Sequence, residues 1–298
     1  MIDREAELLP VPYYHMVFTL PHCFNELLPK HAKNIYSSLF KASWLTLQAF
    51  AEDDKYLGAK TAMTCLLHTW GQQLWLHPHV HCIVPGGGIT KAGNWKMAKG
   101  KGNYLYPKHA LSLVFRAKFM AELRKKMDIS YAIGKQAFKH KWVVYAKQPF
   151  ASPKTVVEYL GRYSHKIAIS NHRLTAVNDK TVSFTYKDYR SGGKQKLAAL
   201  SGVEFLRRFS LHILPAGFVR IRHYGFLASR NKATQLNIAK TELKQPKWSK
   251  ITYSWSQIAK DKLGINPLEC PFCKKETMMV IKVMDPERGP PNNKYHHV

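Results

Sequence analysis

His79-Val80-His81 is the first stretch whose residue types and spacing could do chemistry. On a strand, side chains alternate faces, so the two imidazoles point one way and Val80 the other, with Ile83 and Val84 continuing an apolar run. Two imidazoles on one face make half of a divalent-metal site. Alone, the pattern also describes a strand with two surface histidines. The second stretch is Tyr159-Leu-Gly-Arg-Tyr163. At a spacing of four on a helix, both phenols share a face; the plain alternative is an aromatic core stripe. Arg162, His165 and Lys166 surround the pair and make the segment too polar for simple burial. A tyrosine hydroxyl can attack a phosphodiester, but with a reference pKa of about 10 it needs a cation to polarise the phosphate. The covalent phosphotyrosine would conserve the energy of the broken bond, so rejoining needs no nucleotide. Gly86-Gly87-Gly88 fits that economy: it lacks the trailing Lys of a phosphate-binding loop and reads as a turn.

Composition points to the partner. The 298 residues include 46 Lys and Arg against 19 Asp and Glu, a formal charge of +27. So basic a chain repels itself unless an anionic partner compensates, and nucleic acid is the foremost one, an anionic membrane surface the rival. No apolar run approaches the roughly 18 residues of a spanning helix, and no basic-then-apolar signal segment opens the chain. A soluble, intracellular protein is expected. Hydrophobic content of 45% suffices for one large domain or two ordinary ones. Cys23, Cys65 and Cys82 are isolated in apolar contexts and read as reduced core residues, whereas Cys270-Pro-Phe-Cys273 resembles half of a zinc knuckle.

Positioning elements follow from the periodicities. Tyr13 to Pro21 reads as a strand. Helical spacing runs from Phe24 to about Phe50, and a second helix is expected over Ala59–Trp70, ended by Gly71. The histidine strand follows, begun by Pro78 and stopped by Pro85 and the glycines. Residues 89–106 read as a basic loop or hairpin, Pro107 to about Met127 as a helix, Trp142–Tyr145 as a strand, and Ser152–Tyr163 as a helix capped by Ser152. Strands are expected over Ile167–Leu174 and Thr181–Tyr186, joined by a turn at 177–180, then a helix over Gly202–Phe209 and a strand over Phe218–Tyr224. From Asn231 the composition turns to Lys, Gln, Ser and Thr, with a last helix near Trp255–Leu263 and a disordered tail from Asp285. The expected domains are 1–230 and 231–298.

Taken together, His79-Val80-His81, Tyr159-Leu-Gly-Arg-Tyr163, His68-Thr-Trp-Gly-Gln72, Arg162-Tyr-Ser-His-Lys-Ile-Ala-Ile-Ser-Asn171 and Arg222-His-Tyr-Gly225 resemble the two-tyrosine transposases of rolling-circle insertion sequences (the insertion sequence ninety-one type), within the HUH endonuclease class. The likeness spans roughly residues 5 to 230. It implies an α/β (α+β) fold whose antiparallel central sheet is flanked by helices and carries His79 and His81, followed by a smaller helical and irregular C-terminal region. It implies nicking of single-stranded DNA at element ends and target, with Tyr159 and Tyr163 as nucleophiles, a 5′-phosphotyrosine and a free 3′-hydroxyl, and Mg²⁺ or Mn²⁺ as the metal. Gln72 is the favoured third ligand, with His68 and His77 as rivals. Arg162 and Lys166 are assigned to DNA phosphates on charge, and His165 either orients the phosphate or a tyrosine or makes a structural hydrogen bond. The place of action would be the cytoplasm of a bacterium, at the nucleoid, with strand separation left to a host helicase.

Two departures from the family pattern stand out. Chains of the family usually carry a Cys/His-rich zinc-binding module before the first strand; here that strand follows Met1 almost directly, so a truncated copy is the expectation. At the other end Zn²⁺ is a candidate at Cys270 and Cys273, with only His296 and His297 to complete four ligands. The competing readings are a non-catalytic basic DNA-binding remnant and an RNA- or polyanion-binding protein whose aromatic residues stack on bases.

Overall fold

Alternation along Tyr13-Tyr-His-Met-Val-Phe-Thr19 sorts its side chains into two sets, and the main sheet is built on that sorting. A computed structural model describes residues 5–99, 105–146, 150, 155–156, 161, 167–250 and 254–279. The chain forms two compact units, Met1–Ser249 and Lys250–Val298. The first runs β1 (Tyr13–Thr19), α1 (Leu28–Glu52), β2 (Ala62–Trp70), β3 (Leu76–Pro85), β4 (Gly87–Ile89), β5 (Trp95–Met97), α2 (Lys108–Arg124), α3 (Tyr131–Lys139), β6 (Val143–Ala146), β7 (Leu174–Val177), β8 (Thr181–Asp188), β9 (Lys194–Ser201), α4 (Gly202–Ser210), β10 (Ile221–Gly225) and α5 (Lys232–Glu242). The second contains α6 (Trp255–Ile258), which continues as a π-helical turn over Ala259–Leu263.

Five strands form an antiparallel sheet of order β10-β2-β3-β1-β6, with β3 at its centre. On one face Tyr14, Met16, Phe18, Val80, Cys82, Cys65 and Leu67 join a single buried cluster with Ile35, Leu39 and Leu47 of α1 and Phe115 and Phe119 of α2. Phe18 meets Phe115 edge-on at 4.9 Å between ring centroids, and Trp142 closes the cluster with its indole N–H donating to the Ala137 carbonyl at 2.7 Å. The mixed α/β architecture with an antiparallel central sheet flanked by helices is therefore observed. The opposite face carries the histidines. A second sheet, β7-β8-β9, is backed by α4 through Phe184, Phe205 and Phe209. Leu236 and Ala239 of α5 share a buried cluster with Leu9, Val11 and Ile83. No helix among the described residues is long and apolar enough to cross a membrane.

Three expectations about local structure need correction. Ala62–Trp70 is a strand, not a helix. Eight of its nine residues are buried, so both faces are covered and the polar/apolar alternation that marks a half-exposed strand is lost. Ile167–Ser170 is not a strand: Ala168 has φ +54°, left-handed backbone that no strand accommodates, and pairing with β8 begins only at Leu174. The glycine run is not a simple turn: Gly87 and Gly88 open β4, which pairs with β5. A Cβ on Gly88 would lie 2.6 Å from the Lys60 carbonyl oxygen, so close approach of two backbones explains the glycine. The expected helix over Ser152–Tyr163 and the tail from Asp285 lie outside the described residues, apart from Thr155, Val156 and Gly161 of that helix.

Gly225 ends β10 with φ +65°, and a Cβ there would collide with the Thr61 carbonyl. Gly93 also has positive φ, +89°, but faces open space. In urea unfolding, Gly225→Ala should cost about 3 kcal/mol or more, against about 1 kcal/mol for Gly93→Ala. Equal losses would show that the collision at β10 is relieved by a small backbone shift.

Candidate metal centre and cleft

The site is a product of strand register. In β3, His77, His79, His81 and Ile83 share the face turned away from α1 and α2. Antiparallel pairing sets His68 of β2 directly opposite His79, and β1 lies on the other side of β3 with Val17 opposite His81. Residues opposite one another on one face bring their side chains together. One nitrogen from each of His68, His79 and His81 lies within 4.8 Å of the others, the one group of three or more His, Cys, Asp or Glu ligand atoms among the described residues.

Hydrogen bonds orient two of the rings. His79 Nδ1 lies 2.6 Å from the His77 carbonyl oxygen, which only an N–H can approach so closely. The proton is therefore on Nδ1, and Nε2 keeps its lone pair. His81 Nδ1 lies 2.8 Å from His15 Nε2, with the rings stacked at 5.1 Å. Metal-binding histidines carry partners of this kind on the nitrogen that does not bind. Burial pushes the His79 pKa down to about 4 and that of His68 well below its ordinary value, with the positive ends of neighbouring groups adding to the effect. Both rings are then neutral at pH 7, the form that binds metal. Imidazole ligands carry no negative charge and leave the double charge of a divalent cation intact, so an anionic oxygen is the favoured occupant of any open position.

The histidines floor an open cleft of about 860 Å³. Its walls include Trp70, Gln72, Trp75, Tyr145, Arg173, Tyr186, Lys187 and Tyr189. Asp188 is the one carboxylate lining it among the described residues, and it accepts from Lys196 at 2.6 Å. Gln72, the expected third ligand, lines the same cleft, but its side-chain oxygen accepts from the Lys187 backbone N–H at 3.4 Å. His77 contributes through its carbonyl. Tyr159, Arg162, Tyr163, His165 and Lys166 lie outside the described residues. In the second unit, backbone N–H groups of Phe272 and Cys273 donate to the Cys270 thiol and lower its pKa. Cys270 and Cys273 belong to no group of three or more such ligands among the described residues, and His296 and His297 lie outside them.

No local sequence pattern gives His15 or Trp75 a place at the site. His15 sits two residues before Val17 on β1, and only the pairing with β3 reveals that it reaches His81. The low pKa of His79 has a measurable consequence for the metal-free protein. Unfolded, His79 takes up a proton near pH 6.5; folded, it resists until about pH 4. Stability should be full above pH 6.5 and fall as the pH drops towards 4. Urea midpoints across that range should show the decline, and His79→Phe should flatten it; an unchanged slope in the variant would assign the decline to other groups.

Known proteins agree on the class of this chain. The Y2_Tnp family model, described as "Putative transposase", matches residues 62–234, which include β2, β3 and β10. "Putative transposase y4qJ" of Sinorhizobium fredii (strain NBRC 101917 / NGR234) is 39% identical, over 97% of this chain and 78% of that one. "Transposase for insertion sequence element IS801" of Pseudomonas savastanoi pv. phaseolicola is 30% identical, over 88% of this chain and 66% of that one. A solved structure of TrwC with a 27-mer DNA comprising its recognition hairpin and cleavage site aligns with 55% of this chain and 68% of that one, at 14% identity and a TM-score of 0.30, too loose a likeness to bear on fold or activity. With a family match over more than half of its length and a 39% identical relative of which it spans 78%, the chain belongs to the Y2_Tnp family of transposases.

Proposed function

We propose that this protein nicks and rejoins single-stranded DNA in rolling-circle transposition of an insertion sequence, through tyrosine attack on a phosphodiester held in the histidine cleft. The observation that carries the reading is the cluster of His68, His79 and His81 on the floor of a cleft poor in carboxylates, in a chain of charge +27. Membership of the transposase family supports it. His68 takes the third ligand position in place of Gln72. An all-imidazole donor set suits Mn²⁺ better than Mg²⁺, which prefers oxygen. His68, His79 and His81 would hold a cation that would polarise the scissile phosphate and screen its charge.

The chain's own groups do the rest. His77 holds the His79 tautomer through its carbonyl. With the proton on His81 Nδ1 and His15 Nε2 accepting it, His81 presents Nε2 to the cleft. Tyr163 and Tyr159 are the nucleophiles of this reading. A phenolic oxygen bonds to phosphorus as the P–O3′ bond breaks; the phenol's proton goes to solvent, and the leaving 3′-oxygen takes one up. The products are a 5′-phosphotyrosine and a free 3′-hydroxyl, and attack by another 3′-hydroxyl reverses the step. Arg162, Lys166 and His165 bind the flanking phosphates. Described neighbours of the tyrosine segment favour this role: Val156 shares a buried cluster with Ile83 of the histidine face, and Ala168 packs with Leu74 beside the β2–β3 turn. A host helicase at the nucleoid would supply the single strand.

Incubation with Mn²⁺ and a library of single-stranded oligonucleotides should give a covalent protein–DNA adduct, with less in Mg²⁺. The adduct should vanish in the double variant Tyr159→Phe/Tyr163→Phe. His68→Ala should lower its rate about 100-fold or more and Gln72→Ala far less, because loss of a ligand removes several kcal/mol of charge stabilisation. An adduct that persists without both phenols would sink the mechanism.

A further inference from the structure

The turn between β2 and β3 presents a tryptophan in a way that packing alone does not explain. Leu74 has φ +62°, a left-handed conformation that a branched side chain adopts only when its surroundings hold it there. Those surroundings are on view. The Leu74 side chain is fully buried with Ala168 and Phe184. Its carbonyl oxygen lies 3.1 Å from His212 Nε2, the donor in the tautomer whose Nδ1 accepts from the Thr69 hydroxyl at 3.1 Å. The Gly71 N–H donates to the Trp75 carbonyl at 2.9 Å and closes the turn.

With Leu74 turned inward, the next side chain faces out: Trp75 is 49% exposed. One face of its indole is covered by the Arg208 guanidinium, 3.5 Å from the ring centroid. Arg208 is itself fixed, donating to Glu204 at 2.6 Å and to the Gln73 carbonyl at 3.3 Å. The indole is thus clamped from one side, at the rim of the histidine cleft, where Tyr189 and Tyr145 are also exposed. An aromatic ring held flat in advance loses little freedom when a second ring stacks on it.

We propose that Trp75 is a preformed stacking platform for one unpaired base of the DNA strand entering the cleft, completing an Arg208–Trp75–base sandwich. Bases in a duplex are already stacked and offer no face to it, so the platform selects single strands. The choice of DNA rests on the function proposed above, but the test does not: binding is measured in EDTA, whereas failure of the nicking reading shows in the Mn²⁺-dependent adduct.

The test is a two-by-two comparison by fluorescence anisotropy: wild type and Trp75→Ala, each with a thymidine decamer and with an abasic decamer of the same charge. Trp75→Ala should bind the thymidine decamer about 10-fold or more weakly than wild type. Its affinity for the abasic decamer and for a duplex should match that of wild type, as should the salt dependence, since no charge is removed. Trp75→Phe should recover most of the loss. Wild type that binds both decamers alike, or a variant that loses equally on both, would overturn the platform. The first comparison needs no mutation, so a misfolded variant cannot shelter the proposal.

Discussion

Antiparallel registration of β2 on β3 is the constraint from which the site follows. His68 lies opposite His79, and His81 sits one strand repeat along the same face. A slip of one residue would turn His68 towards the helices and Leu67 towards the cleft. The hydrophobic face prevents that slip. Leu67, Val80 and Cys82 belong to the buried cluster that also holds Phe115 and Phe119, and reversing β2 would bury an imidazole there. The same apolar packing that stabilises the domain therefore aligns the three rings, and the core and the site are two faces of one sheet.

Electrostatics then separates the cleft from the rest of a strongly basic surface. Burial keeps His68 and His79 neutral, so these two rings add no charge to the +27 of the chain and can accept a cation. Among the described residues the walls supply Arg173 and Lys187 and one carboxylate, Asp188, that is already ion-paired. A cation held on the floor would add to the cations on the walls in drawing an anionic backbone, and the rim carries the aromatic rings of Trp75, Tyr145 and Tyr189. In the proposed reading the two kinds of contact divide the work: charge would attract any nucleic acid, and stacking would distinguish a strand whose bases are free.

Much of this was legible in the residues, and the failures have physical causes. His79-Val80-His81 announced itself because β3 carries histidines on one face and apolar residues on the other. β1 was recognisable from its aromatic and β-branched residues. The segment that forms β2 reads as helical because the strand is buried on both faces, and on a helix His68 has no register with β3, so only the strand pairing places it opposite His79. His15 and Trp75 depend on contacts between distant parts of the chain, His81 in one case and Arg208 in the other, and no local pattern signals them.

The most direct measurement of the central claim is pulsed electron paramagnetic resonance of the Mn²⁺-loaded protein, which detects coupling from directly bound histidine nitrogens. Wild type should show three such nitrogens, His68→Ala two, and Gln72→Ala three. A spectrum with none, or one unchanged by His68→Ala, would mean that the three rings gathered on this sheet do not hold a common ion.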